Sequence, residues 1–434
     1  MFVTFGSVAI LGTHSTFGQD SNTTSGSPSS SGGVSGSSMS AGPSSGTVSS
    51  SSVSASNGAE QAITGGPANG TSGFSKLPFE LTLNVREGYD DNPDNASNNK
   101  QSSWFTNGGI DVAYDFGDPR LQLNLVAGAG GTYYYEHIAI QDYDIDLHGG
   151  LNITYKANPR LTLSSKLYLA YLTEPNFTYG SGINARVGNY FFTTDQFTAA
   201  YQWLPRFSTA TSYTIDALNY DSSAIGQSED RVENTFGNEF RFLLVPTTTL
   251  VAEYRYEIVS YLHSGNNDST THYLLGGIDH NFTPRFLASL RAGAQFRDYD
   301  QTPNRTEPYV EATVTYASGK SSSLSWTTRY GLEEPDFVQV QSRTTFRTGL
   351  QIKQELMSRF TAQLGLYYQH DDNQGSATIQ SFTENSVDVA VSAHYAITHY
   401  LGLEAGYNYT DVTSGFSALE YNRNRVFAGL NFAF

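Results

Sequence analysis

The sequence predicts an all-β chain closed into an antiparallel, up-and-down transmembrane β-barrel of about 18 strands. Three observations carry this: a repeat of about 40 residues, alternation of apolar and polar side chains within each repeat, and short turns on one side against longer loops on the other. Tight-turn clusters fall at Asp118-Pro119-Arg120, Asn158-Pro159-Arg160, Leu204-Pro205-Arg206, Val245-Pro246-Thr247, Thr283-Pro284-Arg285, Ser318-Gly319-Lys320, Met357-Ser358-Arg359 and Ile397-Thr398-His399. Between successive clusters lie two segments of about 13–16 residues joined by a polar loop, which is one hairpin. A β-propeller repeats at a similar period, but its blade packs four short strands into that length.

Composition points the same way. Charged residues make up 15% of the 434, against the roughly 25% of soluble domains, while the chain holds 29 Tyr and 26 Phe. No apolar run approaches the ~20 residues of a membrane-crossing helix. A net charge of −17 argues against nucleic acid, which needs clustered Lys and Arg. The absence of cysteine removes disulfides and thiolate metal sites.

Taken in order, residues 1–18 read as an export signal with an apolar core from Phe2 to Leu11 and cleavage after about Gly18, although no Lys or Arg follows Met1. Residues 19–75 are nearly all Ser, Gly, Thr, Ala and Asn. Such a segment buries too little apolar surface to offset its chain entropy and is expected to be a disordered tether. The barrel is assigned to residues 76–434.

Its expected strands are 79–90, 102–116, 120–136, 143–157, 159–173, 189–204, 206–220, 229–245, 247–262, 270–283, 285–299, 305–318, 321–333, 340–355, 358–371, 381–397, 398–412 and 420–434. The weakest patterns are 189–204 and 270–283, so 16 is the alternative count. In the first strand Phe79, Leu81, Leu83 and Val85 alternate with Glu80, Thr82, Asn84 and Arg86; in the fourth, Tyr143, Ile145, Leu147, Leu151 and Ile153 alternate with Asp144, Asp146, His148, Asn152 and Thr154. Period two places one set outward and the other inward. Closure follows because an open sheet edge in hydrocarbon leaves peptide groups unpaired. Aromatic belts are expected from Phe116, Phe207, Phe286, Tyr316 and Phe360 beside the short turns. Tyr89, Tyr134, Tyr171, Tyr220, Tyr299, Tyr330 and Tyr368 lie toward the long loops.

The last strand sets Val426, Ala428, Leu430, Phe432 and Phe434 against Arg425, Gly429 and Asn431. It resembles the terminal strand by which bacterial outer-membrane proteins are recognised for assembly. With the first strand running into Gly88-Tyr89-Asp90-Asp91-Asn92 and the Pro-Arg turns, the chain from Phe79 to Phe434 resembles the β-barrel porin families of Gram-negative bacteria. The resemblance implies an outer-membrane location, contact with its lipid and a pore for small hydrophilic solutes, and it supplies no substrate. A non-conducting structural or adhesive barrel is the alternative.

Charges at inward positions set the selectivity of such a pore. Arg291, Arg297, Arg329, Arg343, Arg347 and Lys353 fall on strands 11, 13 and 14, and Glu233, Glu239, Glu253 and Glu257 on strands 8 and 9, with Arg241 and Arg255 among them. Two readings stay open: basic and acidic walls setting up a transverse field, or cross-strand ion pairs (Glu253, Arg255, Glu311) that brace the wall. The longest loop, Glu174 to Gly188, either folds into the lumen against Arg343 and Arg347 or lies outward. The acidic run Asp90-Asp91-Asn92-Pro93-Asp94-Asn95 lacks the Gly and terminal Glu of a helix-loop-helix calcium site and is read as a solvated loop. Inward His148 and His394 sit among hydroxyls and carboxylates, but no spacing singles out a catalytic pair. No catalytic, cofactor or metal residue is assigned, no helix is expected, and an oligomer is compatible with the pattern.

Overall fold

Alternation, turn chemistry and the need to pair every peptide group converge on a closed cylinder. The computed structural model describes residues 79–434, except 137–141, 174–187, 264–267, 319–321, 336–339 and 377–378. The expected export signal, the tether and most of the 174–188 loop lie outside the described residues.

Eighteen antiparallel strands run in chain order: β1 (Glu80–Asp90), β2 (Ser103–Gly117), β3 (Leu121–Tyr134), β4 (Tyr143–Asn158), β5 (Leu161–Leu172), β6 (Tyr190–Leu204), β7 (Phe207–Tyr220), β8 (Arg231–Val245), β9 (Thr248–Tyr261), β10 (Ser269–Thr283), β11 (Phe286–Tyr299), β12 (Arg305–Ser318), β13 (Ser322–Glu333), β14 (Ser342–Met357), β15 (Phe360–Gln374), β16 (Phe382–Ala396), β17 (Leu401–Ser414) and β18 (Tyr421–Ala433). Each pairs with its chain neighbours, and β1 pairs with β18 from Thr82↔Ala433 to Asp90↔Arg425. Phe434 completes the seam: its N–H donates to the Leu81 carbonyl at 2.8 Å and its carbonyl accepts from Leu81 N–H at 3.1 Å. No sheet edge is left, as hydrocarbon demands. The count of 18 is the one expected, and the strands at 189–204 and 270–283, the faintest by pattern, are both present as β6 and β10.

The short turns share one device. Asp118 Oδ1 accepts from the N–H groups of Arg120 (2.6 Å) and Leu121 (2.7 Å), and Asn158 Oδ1 does the same for Arg160 and Leu161. Pro at the next position presets the turn while the Asx side chain satisfies the amides that follow. These backbone donors also hold the Asp118 carboxyl below its ordinary range.

One expectation fails in the long loops. A short helix, α1 (Ser223–Glu229), lies between β7 and β8. Its composition, SAIGQSE, carries too little apolar periodicity over seven residues to be read from sequence.

Candidate functional site

Every strand has two faces of opposite character. Val85 (51% exposed), Leu147 and Leu430 lie on the outer face. Thr82, Asn84, Arg86 and Asp90, on the alternate positions of β1, are buried inside. The lumen is therefore polar. Three tyrosines expected in the outer belt belong to it instead: Tyr134, Tyr220 and Tyr299 sit at inward positions, Tyr220 partly buried and the other two buried, and the Tyr134 hydroxyl donates to Asp144 at 2.9 Å. All three lie at strand ends, which suited a belt, but their parity decides the face.

All eight charges expected to line the pore, namely Arg291, Arg297, Arg329, Arg343, Arg347, Glu239, Glu253 and Glu311, occupy inward positions, and seven of them are buried, Arg329 being partly so. Most are tied into one lattice across β8 to β13. Arg241 bridges Glu239 and Asp279, each at 2.6 Å. Arg291 meets Asp279 at 2.8 Å, Glu253 at 3.4 Å and Glu239 at 3.7 Å. Arg255 bonds Glu253 and takes Glu311 with two nitrogens, at 2.7 and 3.2 Å, while Tyr309 donates to Glu311 at 2.6 Å. Nearer the long loops, Arg297 reaches Glu334 (2.6 Å), Glu257 (3.1 Å) and Thr271 (2.8 Å). The Arg329 guanidinium lies over the Tyr309 ring, and Arg329 and Arg347 both approach Glu333. Arg343 is buried in β14, paired in register with Glu333.

This geometry separates the two sequence readings. In a ring of 18, facing strands are nine apart, whereas β8 and β9 lie two to six strands from β11, β13 and β14. The acidic groups of β8 and β9 lie along the same wall as the basic groups of β11 and contact Arg291 and Arg297 directly, while Arg329 and Arg347 meet Glu333 on β13. Bracing is what the wall shows, and the transverse field between strands 8–9 and 11–14 is corrected.

The long-loop end of the lumen is packed and the short-turn half more open. Asp90, Arg297 and Arg343 are nearly inaccessible at the upper level. Beside the short turns, inward Asp115, Gln122 and Lys156 are exposed. The largest inward apolar cluster is Tyr168, Ala170, Leu172, Tyr190, Phe192 and Leu218, at the long-loop ends of β5 to β7, with smaller ones at Phe105, Tyr134 and Phe427 and at Tyr273, Leu275 and Tyr309.

Two further ionic groups were not singled out by sequence. In the first, Arg423 bonds Asp90 (2.9 Å through Nε) and approaches the Tyr134 hydroxyl at 3.3 Å, locking the β18–β1 seam. This consumes the first carboxylate of the acidic run. Asp91 binds Asn424 instead, so the carboxylates diverge. In the second, pairs span an intervening strand by passing over a glycine. Arg86 (β1) reaches Glu404 (β17) above Gly429, and His148 (β4) reaches Asp111 (β2) at 3.3 Å above Gly128. A Cβ at Gly429 would lie 2.8 Å from Arg86 Cγ, and one at Gly128 2.4 Å from both Asp111 Oδ1 and His148 Cε1. An inward glycine in register between opposite charges was the available signal, but it needs the register to be seen. Among the described residues no group of His, Asp and Glu is arranged to hold a metal ion.

A closed 18-stranded cylinder with an apolar exterior and an ionic lumen defines a porin-type barrel. The family comparison agrees: residues 80–434 match the family described as "Putative beta-barrel porin 2", and the chain belongs to it. It is an outer-membrane, porin-like channel for small solutes. No curated protein matches the chain by sequence. Among solved structures it is similar to Acinetobacter baumannii OccAB4 (10% identity, TM-score 0.42, 84% of this chain and 100% of that one). It is also similar to Pseudomonas aeruginosa OpdK with vanillate (11%, 0.43, 82% and 99%) and to a BenF-like porin from Pseudomonas fluorescens Pf-5 (11%, 0.43, 82% and 98%).

Proposed function

We propose that small hydrophilic solutes diffuse passively through the lumen and are sorted along the ionic wall where Arg291, Arg297, Arg329, Arg343, Arg347, Glu239, Glu253 and Glu311 line the path. The observation that carries this is the concentration of ionisable groups on the inward face while the outward face is apolar. The ion-pair lattice holds the guanidinium and carboxylate groups against the wall, so passage depends on their fixed positions rather than on a bound cofactor or a reaction. The envelope is that of a Gram-negative bacterium, reached by means of the 1–18 signal and inserted by assembly machinery that reads the strand ending at Phe434. Support for the last step comes from that strand's alternation and from the closure of the seam by Phe434 itself.

The test is planar-bilayer recording of the folded protein. Stable single-channel steps are expected, and Arg329, Arg343 and Arg347 all replaced by Ser are expected to move the reversal potential toward cations. An unchanged potential discards these arginines as selectivity residues. The same dense packing favours one second reading, a barrel that carries no flux. Repeated absence of steps from well-folded protein would establish it.

A further inference from the structure

The outer face is aliphatic or aromatic on most strands, but on β7 and β8 polar side chains interrupt it between Phe236, Phe240 and Phe242. Here Thr209, Thr211 and Tyr213 alternate outward on β7, and Asn234 and Asn238 on β8. They form a ladder of polar contacts. Trp203 Nε1 donates to Thr209 Oγ1 at 3.0 Å, Thr211 Oγ1 to Asn238 Oδ1 at 3.2 Å, and the Tyr213 hydroxyl to Asn234 Oδ1 at 2.8 Å.

The position of the ladder makes it unusual. Phe207 and Phe242 pair beside the short turns, and Asn238 lies four residues further along β8. At ~3.4 Å per residue and a strand tilt of about 40°, that is roughly 10 Å into an apolar band about 25 Å tall. Asn238, flanked by exposed Phe236 and Phe240, is therefore near the bilayer midplane. Each asparagine accepts through Oδ1, yet neither Nδ2 group donates to any described residue. Other outward hydroxyls are satisfied internally: Thr328 and Thr348 donate to backbone carbonyls across the β13–β14 pair. Acyl chains offer no acceptor, so a carboxamide N–H2 facing them is unfavourable.

We infer that the outer face of β7 and β8 is an interface with a second copy of this chain. The occupant follows from complementarity. A carboxamide is its own best partner, because its N–H2 donates while its oxygen retains a free lone pair. A two-fold axis along the membrane normal keeps both copies the same way up and brings Asn238 against Asn238, an isologous contact. Thr211 and Tyr213 orient the two amides from within each copy, and the surrounding Phe236 and Phe240 pack at the edge. Lipid cannot supply the reciprocal donor and acceptor.

The chain has no cysteine, so single cysteines report the contact directly. Phe236→Cys and Phe240→Cys, which flank Asn238 and leave the amides in place, are compared with Ala405→Cys, an outward position nine strands away on β17, using a short bis-maleimide on outer membranes. Heat-modifiable gel mobility identifies folded barrel in each variant. The expected result is a product of twice the chain mass, with a yield at 236 or 240 roughly tenfold that at 405, as one defined isologous patch requires. Equal yields at all three positions, no product from folded protein, or a product containing a different polypeptide overturns the assignment. Asn234→Leu combined with Asn238→Leu gives an independent check: native mass spectrometry should find folded monomer, and a persisting dimer overturns the proposal. Conductance of that monomer, measured separately, bears only on the channel.

Discussion

Breaking the bidentate pair between Arg255 and Glu311 should expose how much the lumen lattice contributes to stability. Both side chains are almost completely buried, 6% and 5% exposed, and two nitrogens of one guanidinium meet the carboxylate at 2.7 and 3.2 Å. Two unit charges about 4 Å apart attract by about 4 kcal/mol at an effective dielectric constant of about 20. Glu253 shares the same guanidinium and Tyr309 donates to the same carboxylate, so part of that attraction survives removal of either partner. A coupling energy of about 2–3 kcal/mol is therefore expected, against about 0.2–1 kcal/mol for an exposed pair. The assay is a double-mutant cycle of Arg255→Gln, Glu311→Gln and the double variant, each unfolded by denaturant in phospholipid vesicles. Outward Trp104 and Trp203 supply the fluorescence signal. Each single change should destabilise by about 2–4 kcal/mol, since it strands a buried charge, and the double variant by clearly less than the sum. A coupling below about 0.5 kcal/mol would mean that water already screens the pair, and the lattice would lose its bracing role.

Two other perturbations probe the wall and the turns. Gly429→Val places a side chain 2.4 Å from the Val85 carbonyl and 2.8 Å from Arg86 Cγ. It should displace the Arg86–Glu404 bridge over the seam and cost about 1–3 kcal/mol of unfolding stability as a small-to-large change, and stability equal to the parent contradicts the close approach. The Asp118 carboxyl, held low by two backbone donors, should stabilise its turn above the ordinary carboxyl range. That contribution is lost as pH falls through the lowered folded value. Asp118→Asn keeps the acceptor without the titration, as Asn158 does. Amide protection at Arg120 and Leu121 should then fall at low pH in the parent and stay level in the variant, whereas matching pH profiles refute the assignment.

Much of the barrel was legible because its determinants are local. Period-two alternation fixed the face of Arg291, Glu253 and Glu311, and Pro-Arg turns marked strand ends to within a few residues. What needed the structure was register. Alternation says that Glu253 and Arg291 point inward, but not that they lie close enough to bond, because that depends on how β9, β10 and β11 slide past one another. The bridges over Gly128 and Gly429 are set by three strands at once, one of them closing the ring between chain ends. Tyr134, Tyr220 and Tyr299 were misplaced for the opposite reason: their position at strand ends was weighed above the parity that alternation already gave. Helix α1 escaped because seven residues carry little periodic signal. The polar ladder on β7 and β8 was visible as outward Asn and Thr once parity was assigned, yet its depth in the bilayer needed the pairing of Phe207 with Phe242.

The two-faced wall itself can be measured position by position. A nitroxide scan over residues 144–153 of β4 in lipid vesicles, begun from a cysteine-free chain, reads collisions with oxygen dissolved in the bilayer and with a water-soluble nickel chelate. Ile145, Leu147, Leu151 and Ile153 should respond to oxygen and Asp146, His148 and Asn152 to the chelate, alternating with period two. Collision rates that vary smoothly along the strand, or apolar positions shielded from both reagents, would contradict a cylinder with lipid outside and water within.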